Sequence, residues 1–187
     1  MYCVKHLCKN DLDQITQIFL KTFPRTDDAD FATAWRTKEC NYSLGLFHKA
    51  TLVGFAITCK EAAAADESRI ARLWFIAIDP EQRSAGAGTQ LLTALIDACL
   101  ADGLRLILTP DNNPRVIDWY KRHNFVITKT MPFVHVDIPM YWMEWRGIRA
   151  GNESPTSLST LSETSSPISR GSFSSECSIL ELENTDG

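Results

Sequence analysis

The 187-residue sequence lacks the features that mark several large classes of protein. No apolar run approaches the length of about 18 residues that a membrane-spanning helix needs. The first ten residues contain no apolar core and no small-residue cleavage site, so we expect no secretory signal. No stretch concentrates Lys and Arg, which argues against a nucleic-acid partner. The sequence therefore predicts a cytoplasmic protein, or a nuclear one, with no membrane or nucleic-acid partner.

The six cysteines form no C-x-x-C pair and have no metal-site spacing with the four histidines. We therefore expect no bound metal. Cys3, Cys59 and Cys99 fall in apolar runs, which predicts that they are small buried side chains. A reducing compartment with free thiols fits this pattern, and disulfides are the alternative.

A change of composition near residue 150 divides the chain. Residues 1–150 contain 18 Lys and Arg and 17 Asp and Glu, a net charge of +1, whereas the rest has one basic and six acidic residues, a net charge of −5. The second part is dominated by Ser and Thr and has no apolar periodicity, so it cannot bury enough surface to offset the entropy of ordering. We predict a folded domain over 1–149 and a disordered tail over 150–187. The tail is either an inert solubilising segment or a site of phosphorylation and partner binding.

The folded part reads as alternating strands and helices, an α/β pattern. The expected strands are Tyr2–Leu7, Ser43–Phe47, Leu52–Lys60, Ile70–Ile78, Leu104–Leu108, Phe125–Thr130 and Val136–Trp145. The expected helices begin near Asp11, Asp30, Thr89 and Asn113, and the second of them runs roughly from Asp30 to Cys40.

A glycine-rich loop lies between the apolar run Ile70–Ile78 and the helix that starts near Thr89. Gly86 and Gly88 allow close backbone approach, and a helix N-terminus favours negative charge, so this loop suits a phosphate group. A dinucleotide loop needs a third glycine where Leu91 stands, and a triphosphate loop needs a lysine directly after Gly88. Neither is present, which excludes both of those cofactor classes.

Two segments together resemble the GNAT superfamily of N-acetyltransferases. Residues 76–89 are similar to its acyl-CoA motif, a strand followed by a loop of the form Arg/Gln-x-x-Gly-x-Gly/Ala. Residues 113–125 are similar to its second signature, in which an Asn opens a helix and a Tyr follows seven residues later. The resemblance covers roughly residues 2–146. It implies a single domain with a mixed, mostly antiparallel sheet of about seven strands and about four flanking helices.

The resemblance implies that acetyl-CoA is the co-substrate and that the chain transfers its acetyl group to a primary amine. Tyr120 matches the general acid, and a phenol, with a reference pKa near 10, keeps its proton at neutral pH. The implied cofactor-binding residues lie on the strand, the loop and the second helix: Ile76, Ala77, Ile78, Arg83, Ser84, Ala85, Gly86, Ala87, Gly88, Thr89 and Asn113. The Ile76 amide would face the acyl carbonyl.

Arg72 stands where histone-type members of the family have a glutamate base, and a guanidinium cannot remove a proton at neutral pH. The candidates for that role, all acting through water, remain open: Glu61, Asp66, Glu67, Asp111 and His135. Asp27, Asp28, Asp30 and Phe133 lie in the segments that form the acceptor site in this family.

The acceptor is expected to be a small-molecule or peptide amine, and the protein a monomer or homodimer. Two other possibilities stay open. One is a catalytically silent module that binds acyl-CoA, and the other is an enzyme that uses a longer acyl chain.

Overall fold

The computed structural model describes residues 2–24, 26, 28–60, 69–83, 86–133 and 136–147, without the side chains of 60, 133 and 136–138. The predicted tail lies outside the described residues, so its disorder and the domain boundary at 149 remain predictions. The elements are β1 (Tyr2–His6), α1 (Leu12–Thr22), α2 (Asp28–Arg36), β2 (Leu44–His48), β3 (Thr51–Lys60), β4 (Ile70–Ile78), α3 (Ala87–Ala101), β5 (Arg105–Leu108), α4 (Pro114–Arg122), β6 (Phe125–Phe133) and β7 (Val136–Trp145).

The strands form one seven-stranded sheet in the order β1-β2-β3-β4-β5-β7-β6. The neighbouring pairs are antiparallel except for β4 and β5. This parallel pair requires a crossover connection, which α3 provides. The predicted α/β class, the mixed sheet and the element order are confirmed.

Helices cover both faces of the sheet because each has one apolar face. On one face, α3 and α4 pack through a cluster that includes Leu91, Leu95 and Ile117. On the other face, α1 and α2 contribute Ile15, Phe19 and other side chains to a second cluster. Burying one such large apolar side chain contributes roughly 1.5–3 kcal/mol. Packing in these two clusters fixes the ends of the helices that border the candidate active site.

Local chemistry explains several element boundaries. The Asn113 side chain accepts a hydrogen bond from the Arg115 amide and caps α4, with Pro114 at the first helical position. Asn124 after α4 has a φ of 66° and Gly103 after α3 has a φ of 66°. Both residues have the left-handed backbone conformation that often ends an α-helix, a conformation that Asn and Gly favour.

Three expectations need correction. The second helix begins at Asp28 and ends at Arg36, short of Cys40, because the chain beyond it pairs with β3: Lys38 forms a bridge with Cys59. β6 continues past Thr130 to Phe133 because β7 supplies its hydrogen-bond partners. Cys3 is exposed, since it lies on the edge strand β1, whereas Cys59 and Cys99 are buried as expected.

Candidate active site

The strand β4 continues where its parallel neighbour stops. The β4–β5 ladder runs from Ile70 to Leu73 and pairs Leu73 with Leu108. β4 then continues to Ile78, and among the described strands only β3 pairs with that half. A register shift lies there, since Ile57 pairs with Phe75 and Thr58 with Leu73. This bulge bends β4 away from β5 and opens one backbone edge to an extended ligand.

A turn and a helix N-terminus lie at the end of this open edge. Gly86 has a φ of 97° and is the N-terminal cap of α3, and the first helical hydrogen bond joins the Gln90 amide to the Gly86 carbonyl. The amides of Ala87, Gly88 and Thr89 therefore have no acceptor within the helix. A Cβ added to Gly88 would meet only Trp119 at 3.5 Å and Ile78 at 3.9 Å. Free amides on an open surface suit a phosphate.

The segment before the loop is fixed by polar contacts. The Asp79 carboxylate accepts a hydrogen bond from the Glu81 amide at 3.1 Å. Lys21 on α1 bridges to Asp79 at 3.5 Å and to Glu81 at 3.0 Å. These contacts join α1 to the approach of the loop. Arg83 lines the cleft described next, whereas Ser84 and Ala85 lie outside the described residues.

The loop, the second half of β4 and one face of α4 line one cleft of about 1150 Å³. The predicted cofactor residues in its lining are Ile76, Ala77, Ile78, Arg83, Ala87 and Gly88, joined by Tyr120. Asn113 is absent from this lining and caps α4 instead. Its predicted contact with the cofactor arm remains a prediction.

Tyr120 lines the cleft and is a buried residue, with 5% of its surface exposed. Its ring packs edge-on against Trp119 and Phe125, at centroid distances of 4.8 and 5.4 Å. Burial raises its pKa above the ordinary value of a phenol. Its hydroxyl forms no hydrogen bond with the described residues. The phenol therefore keeps its proton and has it available for a ligand.

A histidine joins α4 to the start of α3. One ring nitrogen of His123 lies 2.8 Å from the Trp119 carbonyl oxygen, and the other lies 3.1 Å from the Thr89 hydroxyl. The contact holds the Trp119 indole beside Gly88. The sequence reasoning missed Trp119, although its position three residues after Val116, which also lines the cleft, places the two on the same helix face.

The residues predicted to bind the acceptor differ in whether they line the cleft. Asp30 lines the cleft, together with Phe23 and Pro24 from the end of α1. Asp28 does not belong to that lining. Asp27 and the side chain of Phe133 lie outside the described residues, so their roles remain predictions.

Arg72 makes contacts that explain its place on β4. Its guanidinium lies 4.6 Å from the Trp142 ring centroid and 6.0 Å from that of Trp74, and it donates to the Thr109 hydroxyl at 3.4 Å. The cation thus stacks between aromatic faces. Of the candidate bases, Asp111 lines the cleft, and the other four lie outside the described residues: Glu61, Asp66, Glu67 and His135.

Two features are absent from the described part of the chain. No helix there is long and apolar enough to cross a membrane. No group of three His, Cys, Asp or Glu side chains lies together there as metal ligands would.

Comparisons with known proteins agree with this fold. Residues 12–125 match the model of the acetyltransferase (GNAT) family. No curated protein sequence matches the chain.

Solved structures share the fold. Arabidopsis thaliana Naa50, in complex with the bisubstrate analogue CoA-Ac-MVNAL, is 20% identical with a TM-score of 0.63, over 78% of this chain and 99% of its own. The ribosomal-protein-S18-alanine N-acetyltransferase from Escherichia coli is 22% identical with a TM-score of 0.62, over 82% of this chain and 100% of its own. The protein yncA from Salmonella typhimurium, with its cofactor acetyl-CoA, is 20% identical with a TM-score of 0.64, over 83% and 99%. Because the family model spans more than half of the sequence, this chain belongs to the GNAT acetyltransferase family.

Proposed function

We propose that this protein transfers an acetyl group from acetyl-CoA to a primary amine by direct attack in a ternary complex. The observation that carries the proposal is Tyr120, a buried residue whose hydroxyl has no hydrogen-bond partner among the described residues and which lines the same cleft as Gly88 at the start of α3. A phosphate-binding helix start and a proton donor in one cleft suit a thioester of a phosphorylated carrier. The similar structures of Naa50 and yncA hold a CoA conjugate and acetyl-CoA, which supports the choice of carrier.

The residues present suit acetyl-CoA along the length of the cleft. The free amides of α3 and the Arg83 guanidinium would take the pyrophosphate. The unpaired edge of β4 would hydrogen-bond the pantetheine arm as an added strand does. In this arrangement the Ile76 amide lies at the level of the thioester and would stabilise the oxyanion.

The chemistry follows from these positions. The amine nitrogen attacks the acyl carbon and forms the C–N bond, and collapse of the oxyanion breaks the C–S bond. The CoA thiolate leaves and takes a proton from Tyr120, whose raised pKa keeps the phenol protonated until that moment. The ammonium proton leaves through water to Asp111, which lines the same cleft. The products are the acetamide and free CoA.

Tyr120→Phe tests the proposal because it removes only the hydroxyl. We expect kcat to fall by about 100-fold, the usual contribution of a positioned proton donor. Calorimetric titration should give an unchanged Kd for CoA, since the ring still fills its place against Trp119 and Phe125. CoA-thiol release across monoamines, diamines, lysine peptides and peptide N-termini measures turnover.

The control is Tyr141→Phe, on β7 and away from the cleft lining, which should keep wild-type turnover. Unchanged turnover in Tyr120→Phe would remove this residue from the mechanism. If the wild-type protein binds acetyl-CoA but releases no thiol with any amine, the chain is instead a silent acyl-CoA-binding module.

A further inference from the structure

His123 joins the end of α4 to the start of α3 through both of its ring nitrogens. Nδ1 lies 2.8 Å from the Trp119 carbonyl oxygen, and Nε2 lies 3.1 Å from the Thr89 hydroxyl oxygen. The His123 backbone amide donates to the Tyr120 carbonyl at 2.9 Å, which leaves the Trp119 carbonyl, one of the last in α4, to the ring. These two contacts fix the orientation of the imidazole.

The positions of the protons in this chain of hydrogen bonds follow from its carbonyl end. A carbonyl oxygen can only accept, so Nδ1 carries a proton and donates it to Trp119. In a neutral ring Nε2 is then an acceptor, and the Thr89 hydroxyl donates its single proton to it. The Thr89 oxygen has only lone pairs left for any other group. A second proton on the ring reverses this bond, because Nε2 then donates to the Thr89 oxygen and the hydroxyl proton is released to another acceptor.

Thr89 belongs to the helix start that would take the pyrophosphate. Its amide is one of the three at the N-terminus of α3 that have no acceptor within the helix. Side chains on a helix tilt toward its N-terminus, so the Thr89 hydroxyl lies toward these amides. Thr89 is exposed and outside the cleft lining, but it directly follows Gly88, which belongs to that lining. A phosphate bound by the amides would therefore lie next to this hydroxyl.

The charged groups around the ring leave room for an anion. The first two turns of α3, residues 87–94, contain no titratable side chain. The charged side chains on α4, on β6 and directly before α3 are Arg115, Asp118, Lys121, Arg122, Lys129 and Arg83. Asp118, the single acid among them, pairs with Lys121 at 3.6 Å, and Glu81 earlier in the loop is bound by Lys21. A phosphate would therefore supply the negative charge that a protonated ring lacks among its described neighbours.

We propose that His123 is a positioning residue of the cofactor site, and that its second proton directs the Thr89 hydroxyl to the pyrophosphate of CoA. The ring takes this proton from solvent at Nε2 and donates it to the Thr89 oxygen, while Thr89 donates its own proton to a phosphate oxygen. Imidazole side chains change charge near pH 6.5, so the affinity for CoA increases as pH falls through this range. The inference rests on the proposed binding of acetyl-CoA and states how pH regulates that same site.

Dephospho-CoA tests the pH dependence, because it keeps the pyrophosphate and lacks the 3′-phosphate, which itself titrates near pH 6. Calorimetric titration of the full chain should give a Kd about fivefold lower at pH 6 than at pH 8. This is somewhat less than the change of about tenfold or more that a hydrogen bond to a charged group produces, since imidazole side chains are only partly protonated at pH 6. Near pH 7, titrations in buffers of different ionisation enthalpy should show net uptake of protons on binding.

Substitutions of the ring and of the hydroxyl assign the effect. His123→Gln removes the titrating group and should give nearly the same Kd for dephospho-CoA at pH 6 and pH 8. Thr89→Val replaces the hydroxyl with a methyl group and should also lose the pH dependence, whereas Thr89→Ser keeps a hydroxyl and should retain it. The matched control is His6→Gln on β1, which removes an imidazole outside the cleft lining and should keep the wild-type difference.

The outcomes separate this inference from the proposed function. A Kd for dephospho-CoA that is the same at pH 6 and pH 8 in the wild type, or a difference that persists in His123→Gln, overturns the role of His123. A difference that persists in Thr89→Val overturns the relay through the hydroxyl, because the charge of the ring would then act on the phosphate directly. Acetyl transfer stands in all three cases. If neither CoA nor dephospho-CoA binds at either pH, the proposed function itself fails and this inference with it.

Discussion

Gly86 and Gly88 lie two residues apart at the start of α3, but glycine suits the two positions for different reasons. Gly86 has a φ of 97°, where a side chain is strained, although nothing lies within 4 Å of an added Cβ. Gly88 is an ordinary helical residue whose added Cβ would make only normal contacts with Trp119 and Ile78. The first is required by the turn. The second leaves room in the cleft.

Gly88→Ala should therefore weaken the binding of CoA without lowering the stability of the fold. Alanine is the better helix former by up to about 1 kcal/mol, so Tm should stay level or rise. A methyl group placed where the pyrophosphate would lie should raise the Kd for CoA by tenfold or more, measured by calorimetry. Gly86→Ala is the contrasting variant, since left-handed strain of about 1–2 kcal/mol should lower its Tm. Wild-type CoA affinity in Gly88→Ala would mean that the phosphates lie elsewhere.

The cysteines should divide into two reactivity classes. Cys3, Cys8 and Cys40 are exposed, whereas Cys59 and Cys99 are buried. Burial, helped by the Asp102 charge, raises the pKa of Cys99 to about 12, so almost none of it is thiolate at pH 8.

In a Cys177→Ser variant of the full chain, a small alkylating reagent at pH 8 should modify the three exposed thiols within minutes. Cys59 and Cys99 should react only after addition of denaturant, as mass spectrometry of the digested protein can show. Rapid native labelling of Cys99 would contradict the packing of α3 against the sheet.

At the scale of the element, an ion pair between side chains joins the last strand, β7, to β5. Glu144 of β7 is 8% exposed and accepts a hydrogen bond from the Arg105 guanidinium of β5 at 2.8 Å. Arg146 adds a second contact at 3.3 Å. The Arg105 hydrogen bond holds the pKa of the Glu144 carboxyl below its ordinary value, against the opposing effect of burial.

A lowered pKa in the folded state stabilises the fold above the unfolded pKa, near 4.3, and the effect disappears as pH falls through the folded value. Glu144→Gln should therefore lower the free energy of unfolding by about 1–2 kcal/mol at pH 7. The difference from wild type should shrink below pH 4. Urea denaturation at pH 7 and at pH 3 measures this difference in the free energy of unfolding. Glu81→Gln is the control because that carboxylate is 73% exposed. An equal loss at pH 3 would mean that packing, not charge, accounts for the effect.

Elements with strong local signals were predictable from the sequence. β4 follows its apolar run from Ile70 to Ile78, and α4 begins after the Asn113-Pro114 cap. The end of α2 and the length of β6 were not predictable, because Cys59 and β7 decide them through pairing with residues distant in sequence. Local propensity is overridden where a partner strand offers hydrogen bonds.

The same distinction applies to the site. The motif around Gly86 and Gly88 and the tyrosine seven residues after Asn113 could be found by spacing. The cleft walls could not, since Phe23 reaches Phe75 only through the packing of α1 on the sheet, with ring centroids 5.5 Å apart.

At the scale of the whole molecule, the family fold does not need the complete chain. The family model ends at residue 125, and the Escherichia coli S18-alanine acetyltransferase aligns over its full length with only 82% of this chain. The described sheet is complete at Trp145. We therefore propose that residues 1–149 form the catalytic domain and that the Ser/Thr-rich segment beyond it adds nothing to the fold.

On this proposal, deletion of residues 151–187 should keep the Tm within about 2 °C and leave the Kd for CoA unchanged, because no packing contact of the domain is lost. The deletion also removes a net charge of −5 and leaves +1. If the acidic segment attracts cationic amines, kcat/KM for the best acceptor of the amine panel should fall with the deletion, and less so at 0.5 M salt, where charges are screened beyond about 4–5 Å. If it does not, the same kinetics at both salt concentrations will show that the cleft alone selects the amine. A collapse of Tm on deletion would contradict the domain boundary, since it would mean that the segment packs on the sheet.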